Sequence, residues 1–285
     1  MGGAVTILLE TSISSPSAIP VQPRAIGAAM VSAKAARGRS TLGDLRQSGA
    51  MKLLFPRPDG AALQVIAINT AGGLTGGDAF TLTACAEEGA ALSLTTQAAE
   101  RAYRAQPGEV ASVRNTITAK PGATLHWLPQ ETILYEGCAL RRSLSVDLAD
   151  DASLLLVEPL VFGRAAMGEA LRHVNFRDTN RVSRAGRPLY LDAMTLRGDV
   201  TAHLAAPHVA AGAGALATLI YVAPDAEARL APLRAQLPKS GGASLIGPDL
   251  LAARILAPDS FDLRQSLVPI LRELSGDTLP RSWMT

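Results

Sequence analysis

The feature that most constrains this chain is a two-residue alternation of apolar and polar side chains, repeated in segment after segment. Residues 63–68 form a run rich in β-branched residues, bounded by Gly60 and Asn69. Phe80, Leu82 and Ala84 alternate with Thr81, Thr83 and Cys85. Val113, Asn115, Ile117 and Ala119 alternate with Arg114, Thr116 and Thr118, and Leu140, Arg142, Leu144, Val146 and Leu148 alternate with Arg141, Ser143, Ser145 and Asp147. A period of two places one side of a strand on a core and the other toward water or a second layer. The expected fold is therefore mainly β.

A weak repeat sharpens this expectation. Residues 89–94 (GAALSL), 122–127 (GATLHW) and 151–156 (DASLLL) share one plan, in which a turn residue and Ala lead into an apolar strand. The starts lie about thirty residues apart, and repeated β units of that length suggest stacked arches, sandwich layers or a β-solenoid. Each strand is followed by an unusual polar segment: residues 95–100 (TTQAAE), 129–132 (PQET), and the pair Glu158 and Pro159. Beyond Gly168 the repeat stops. Residues 173–182 and 189–197 read as two strands around a turn at Gly186, and residues 217–222 as another.

The period then changes to that of a helix. Leu230, Leu233 and Leu237 share one face of residues 225–237, with Asp225 near the positive end of the dipole and Pro232 as an internal strain. Leu263, Leu267, Ile270, Leu271 and Leu274 form one stripe after Asp259 and Ser260, stopping at Gly276. Pro269 is expected to kink this amphipathic C-terminal helix or delay its start. Residues 39–52 offer Leu42 and Leu45 to a core. The organisation expected is an irregular segment over 1–35, then one β-rich domain over 36–285, stacked-sheet or β-superhelical (solenoid-like), with about two helices near 225–237 and 260–275.

Composition narrows the function. Hydrophobic residues make up 48% and the net charge is only +2, so the chain folds and carries no strong global field. Aromatics are only 4%, too few for a stacking platform on single-stranded nucleic acid. No apolar stretch reaches the roughly 18 residues of a membrane helix, and the run at residues 4–9 lacks the basic start of a signal peptide. A cytoplasmic protein is expected, with no nucleic-acid or membrane partner. Cys85 and Cys138 stand far apart with no CxxC or Cys/His cluster, and reduced thiols are preferred over a disulfide or metal ligation.

Residues 69–78 (NTAGGLTGGD) are the most distinctive segment. They follow an apolar strand, as a dinucleotide loop would. The pairs Gly72-Gly73 and Gly76-Gly77 do not fit the i, i+2, i+5 fingerprint, and the next element alternates like a strand instead of opening a helix. A tight double turn with Asp78 or Thr75 bonding nearby backbone is the simpler reading; placing Asp78 at an interior or interface site is the functional one.

Glu131 and Glu136 flank an Ile-Leu-Tyr run, Glu158 sits between two apolar runs, and Glu169 closes the 163–168 loop. Buried carboxylates need partners, and Arg101, Arg104, Arg141, Arg142 and Arg164 could supply them. The four histidines show no zinc-ligand spacing, and no Gly-x-Ser-x-Gly elbow is present. Arg172, Arg177, Arg181, Arg184 and Arg187, with the one acid Asp178, read as a solvated strand pair or as a patch for an acidic protein partner.

At these motifs the chain resembles the urease accessory protein UreD (UreH) family. The resemblance is carried by TAGGLTGGD (70–78), LTTQAAE (94–100) with Tyr103 and Arg104, LHWLPQETILYEG (125–137), RRSLSVDL (141–148) and the 158–169 segment with its FGRA and Gly168-Glu169. Residues 38–42 and 45–49, and PRSW at 280–283, fit as well. The match spans about residue 37 to the C-terminus. It implies no enzyme activity and no tightly bound cofactor. It implies action with UreF and the GTPase UreG on apo-urease, with UreE supplying nickel, and an internal route for nickel in transit. Oxygen donors that bind and release suit such transit better than a sulfur cage. The candidate path residues are Asp78, Thr96, Gln97, Glu131, Glu136, Asp147, Glu158 and Glu169. The competing reading is a β-solenoid carbohydrate-active enzyme using two of the carboxylates as acid and base.

Overall fold

The computed structural model describes Met1, residues 22–57 and residues 60–284. The chain coils between two facing sheets. β4 (Leu63–Asn69), β6 (Ala91–Thr96), β9 (Thr124–Leu128) and β12 (Ser153–Phe162) stack in parallel in one sheet. β5 (Ala79–Ala86), β8 (Ala111–Ala119), β11 (Ala139–Leu148) and β13 (Val174–Arg184) stack in parallel in the other. Successive strands cross from sheet to sheet, so each circuit of about thirty residues is one turn of a β-solenoid-like stack. The sequence repeat is this circuit: Ala91 pairs with Thr124, and Thr124 with Ser153.

Both ends of the coil are closed by antiparallel pieces, which removes bare parallel edges. At one end, β1 (Ile26–Ala36) joins β5 in parallel and β2 (Arg39–Gly49) in antiparallel, while β3 (Met51–Leu54) pairs β4. At the other, β14 (Arg187–Gly198) folds back on β13, and β15 (Ala215–Val222) continues from β12 to β17 (Leu250–Ala257) and β16 (Gly241–Ile246). The 1–35 segment drawn from the sequence overlaps β1 from Ile26 onward, and its residues 2–21 lie outside those described.

Two apolar layers follow from the alternation. The main core lies between the sheets and includes Leu82, Ile117, Leu125, Leu144, Leu154, Phe176 and Ile220. The second lies where helices cover the outer face of the β12 sheet: Leu155, Val157 and Leu219 meet Leu263, Leu267, Ile270 and Leu271. Those helices are α2 (Ala226–Gln236) and α3 (Ser260–Leu274); a short α1 (Val200–Ala205), capped by Asp199, was not legible in the sequence, nor were β16 and β17. The expected stripe of α3 is buried throughout, and Asp259 caps the helix by accepting from the Asp262 amide at 2.9 Å. Pro232 and Pro269 end neither helix, because both are exposed and the carbonyls they leave unpaired lie on the solvent side.

Two expectations need correction. Leu45 is exposed, since most of β2 has no layer over it. Glu158 and Pro159 do not follow the third repeat strand but lie inside it, because β12 runs on to Phe162. Pro159 is tolerated there because β9 pairs with β12 only as far as Leu156 and the next neighbour, β10 (Thr132–Leu134), begins at Leu160. The missing N–H falls in that gap.

Gly73 has φ of 149°, and an added Cβ would stand 2.3 Å from Tyr103 Cε2 and 2.9 Å from the Arg101 carbonyl. We expect Gly73→Ala to destabilise by about 1–3 kcal/mol in denaturant unfolding. Gly242→Ala, with nothing within 4 Å, should have little effect.

Candidate functional site

The polar segments that follow β6 and β9 stack at one corner of the coil with the Glu158–Phe162 end of β12. There a third, short ladder forms: Leu74 bridges Ala102, β7 (Glu100–Ala102) pairs in parallel with β10, and β10 pairs with the end of β12. In register, Glu100 lies beside Thr132 and Thr132 beside Leu160. The corner encloses a cavity of about 310 Å³, lined among others by Asn69, Thr96, Gln97, Glu100, Asn115, Trp127, Gln130, Thr132, Arg142 and Glu158. Gln97 is at its exposed side; Glu158, only 3% exposed, is at its inner end.

The inner end is built from charges. Arg142 on β11 lies on the core-facing side of its strand, reaching Glu158 Oε2 at 2.7 Å across the interior. On its own sheet it holds Asp178 of β13 by two bonds, of 3.0 and 2.6 Å, and its Nη1 donates to Thr132 Oγ1 at 3.0 Å. Trp127 Nε1 donates to Glu158 Oε1 at 2.6 Å, and Asn180 Nδ2 to Asp178 Oδ2 at 3.3 Å. Burial works against the Arg142 charge, but the carboxylates of Asp178 and Glu158 hold it firmly protonated. Burial pushes the Glu158 carboxyl up, against the pull of Arg142. One guanidinium faces two carboxylates, so the fully ionised triad carries one excess negative charge. A proton on Glu158, which burial favours, balances it.

The polar row continues from buried Thr218 out to Arg254, which is exposed. Thr218 is the register partner of both Glu158 and Arg254, and Arg254 Nη2 lies 3.2 Å from Thr218 Oγ1 and 2.5 Å from Asp192 Oδ2. Asp192 pairs in register with Asn180. A line of polar groups thus runs from the corner cavity to the far end of the coil.

The eight residues picked from the sequence divide into three groups. Thr96, Gln97 and Glu158 line the cavity. Thr96 Oγ1 accepts from the Gln130 amide at 2.9 Å, and burial pushes up the nearby Glu100 carboxyl, with Asn69 and the Arg101 amide pulling it back. Glu131 lies behind the lining, buried and held by Arg264 of α3 at 3.0 Å; the same guanidinium reaches Gln130 Oε1 at 2.7 Å. Asp78 is buried as a loop pin, accepting from the Thr75 and Ala25 amides at 2.8 Å each, as the double-turn reading expects.

The others sit away from the cavity. Glu136 bonds His173 Nδ1 at 2.7 Å and the Arg172 amide at 2.6 Å. Glu169 holds Arg164 at 3.0 and 2.9 Å and accepts from the Glu136 amide at 3.2 Å, while Arg164 lies 4.4 Å over the Tyr135 ring. Asp147 is exposed and bonds Ser183 Oγ at 2.7 Å. The expectation of an interior position for Asp147 is corrected: it stands on the outward parity of β11. Arg184, read as part of a solvated strand pair or a patch for an acidic partner, is paired to Asp249 at 2.7 Å, and Asp178 points inward.

Asp178, Asn115 and Glu100 were not picked from the sequence, and Arg142 was named only as one of five arginines that could pair the carboxylates. The signal was present for three of them, since Asn115, Arg142 and Asp178 occupy the apolar parity of their strands. Among the described residues, no group of three or more His, Cys, Asp or Glu is placed to hold a metal. Burial pushes the Cys85 thiol up to about 11 and the Cys138 thiol up to about 12, so neither offers a thiolate at neutral pH. Burial lowers His126 to about 4, which keeps its imidazole neutral. No described helix is long and apolar enough to cross a membrane.

Fold and site together define a β-solenoid-like scaffold with a charged seam inside and an oxygen-rich cavity leading to it. The family model for UreD, the UreD urease accessory protein, matches residues 25–284, and the chain belongs to that family. It is 56% identical over 244 residues to a urease accessory protein UreD of Ruegeria pomeroyi, covering 86% of this chain and 95% of that protein. It is 51% identical over 262 residues to one from Roseobacter denitrificans, covering 92% of this chain and 96% of that protein.

Arg142→Met should cost about 3–5 kcal/mol at neutral pH, because it leaves Glu158 and Asp178 buried and unpaired. Since the Glu158 carboxyl is already raised, the deficit should shrink in mildly acidic buffer, checked by urea unfolding at several pH values. Glu169 behaves oppositely. The Arg164 guanidinium, outweighing partial burial, depresses its carboxyl to about 2. Its stabilising effect is full above the ordinary carboxylate range and fades as pH falls toward 2. The stability gap between wild type and Glu169→Gln should therefore narrow as pH drops below about 4.5.

Proposed function

We propose that this protein conducts nickel ions during urease maturation, acting with UreF and UreG on apo-urease while UreE delivers the metal. The observation that carries this reading is that two carboxylates, Glu158 and Asp178, share the one Arg142 guanidinium at the inner end of the corner cavity. A divalent cation entering past Gln97 meets Thr96, Glu100 and Thr132 oxygens before it reaches Glu158. There it competes with Arg142 for the carboxylates, so the guanidinium acts as a gate that swings off when a cation takes its place. Carboxylates, hydroxyls and amides hold nickel less tightly than a thiolate or imidazole cage, which favours release onward. Protonation of Glu158, eased by burial, offers a second way to let the ion go.

Glu136, Glu169 and Asp147 lie outside this route and have local partners, so the path assigned here runs through Thr96, Gln97, Glu100 and Glu158, with Glu131 and Asp78 supporting its walls. The carbohydrate-active alternative is not favoured. Glu158 and Asp178 share one arginine in the interior, which leaves neither free to act on a glycan.

Glu158→Gln and Glu100→Gln should each lower the nickel content and activity of co-expressed urease severalfold, with the variant still soluble and still recovered with UreF. Asp147→Asn should leave both unchanged. Normal nickel loading by a folded E100Q/E158Q double variant, read by metal analysis of the purified urease, would sink the conduit. Loss of UreF recovery by the wild-type protein would count against the assembly.

A further inference from the structure

The outer face of the β5–β8–β11–β13–β14 sheet has no layer over it, unlike the helix-covered sheet behind. Parallel sheets are usually covered on both faces. This one instead shows Thr, Ser and Arg to solvent. Arg141 of β11 and Arg177 of β13 are direct register partners, about 4.8 Å apart in the pairing direction. Thr195 is next in the row, and Arg197 stands beside Asn175. These five residues line a cavity of about 250 Å³. Arg114 and Arg181 extend the field across the same face, through register partners Ser143 and Ser145.

Neighbouring like charges on adjacent strands repel and cost stability unless something answers them. Among the described residues, no carboxylate lies within ion-pair distance of Arg114, Arg141, Arg177, Arg181 or Arg197, whereas Arg184, Arg229 and Arg254 all have one. Asp147, the acid on this face, is engaged by Ser183 Oγ and the Gly186 amide. Guanidinium forks, with a hydroxyl and an amide between them, form a donor set for carboxylate oxygens.

We propose that this face binds a protein partner through an extended acidic segment, whose carboxylates enter the Arg141–Arg177–Arg197 cavity and whose flanking acids meet Arg114 and Arg181. The field spans several strands, more than one small anion covers. Its surface has no aromatic ring among the lining residues on which a base could stack. The partner identified by this chemistry carries clustered Asp and Glu in a strand-like stretch. The inference is independent of any metal path, which lies on the opposite face of β8 and β11.

The probe is a fluorescein-labelled oligo-glutamate peptide of about eight residues, long enough when extended to cross the field, read by anisotropy with the full-length protein. Wild type should bind it, weakening steeply between roughly 0.05 and 0.5 M salt. R141Q/R177Q should lose about tenfold or more and R197Q severalfold, whereas R39Q, on a distant edge, should bind like wild type. The double variant should melt no lower than wild type, because it removes repulsion; a clear fall in melting temperature would show that these charges are already compensated and overturn the proposal. Wild-type binding that is absent or insensitive to R141Q/R177Q overturns it too. So does a single-stranded DNA of equal charge binding more tightly through the same arginines, which would assign the face to nucleic acid.

Discussion

Arg142 ties together three other strands, β10, β12 and β13. Its guanidinium bridges Glu158 on the facing sheet and Asp178 on the neighbouring strand, and touches Thr132 of the corner ladder. It does so in a layer otherwise packed with Leu, Val and Phe. A charge there is tolerable because Asp178 and Thr132 accept its hydrogen bonds, tying β11 to β13 and the corner ladder, while the ion pair to Glu158 reaches across to the facing sheet. The corner cavity exists because these polar side chains interrupt the apolar stack at one level of the coil. The same interruption leaves two carboxylates sharing one guanidinium next to that cavity.

The coil makes such an arrangement cheap to position. In a parallel stack each turn places the same type of segment at the same corner, so the chain brings Thr96, Gln130 and Glu158 together by advancing one repeat at a time. Antiparallel pieces close the two ends, and helices α2 and α3 cover one outer face. Arg264 links that helical cover to the corner through Gln130 and Glu131, and Trp283 anchors the tail by donating to the Leu128 carbonyl at 2.9 Å. The cavity wall therefore depends on the C-terminal segment as well as on the repeats. The remaining outer face stays polar and, among the described residues, bears arginines with no carboxylate within ion-pair distance.

Much of the architecture was legible because alternation and repeat length are local properties. Strand parity, the thirty-residue circuit and the α3 stripe need no knowledge of distant contacts. Leu45 and the Glu158–Pro159 step were misread because the first depends on which strands lack a cover and the second on a gap between two neighbours. The candidate site was half legible. Glu158 stood out as a carboxylate in an apolar run, and Thr96 and Gln97 as polar residues after a repeat strand. Glu136, Glu169 and Asp147 looked equivalent to them, since sequence does not say which carboxylates have partners nearby.

By itself the sequence determined a β fold built of stacked circuits, an amphipathic helix to cover it, and a family signature in the glycine loop and the LPQET segment, because these rest on residue types and short spacings. Only the tertiary structure decided that Arg142 and Asp178 turn inward to meet Glu158, that Asp78 serves its own loop, and that Asp147 faces water. Those outcomes depend on the side of a strand and on what another sheet places opposite it. A buried charge is set by its partners across space, and no spacing along the chain records them.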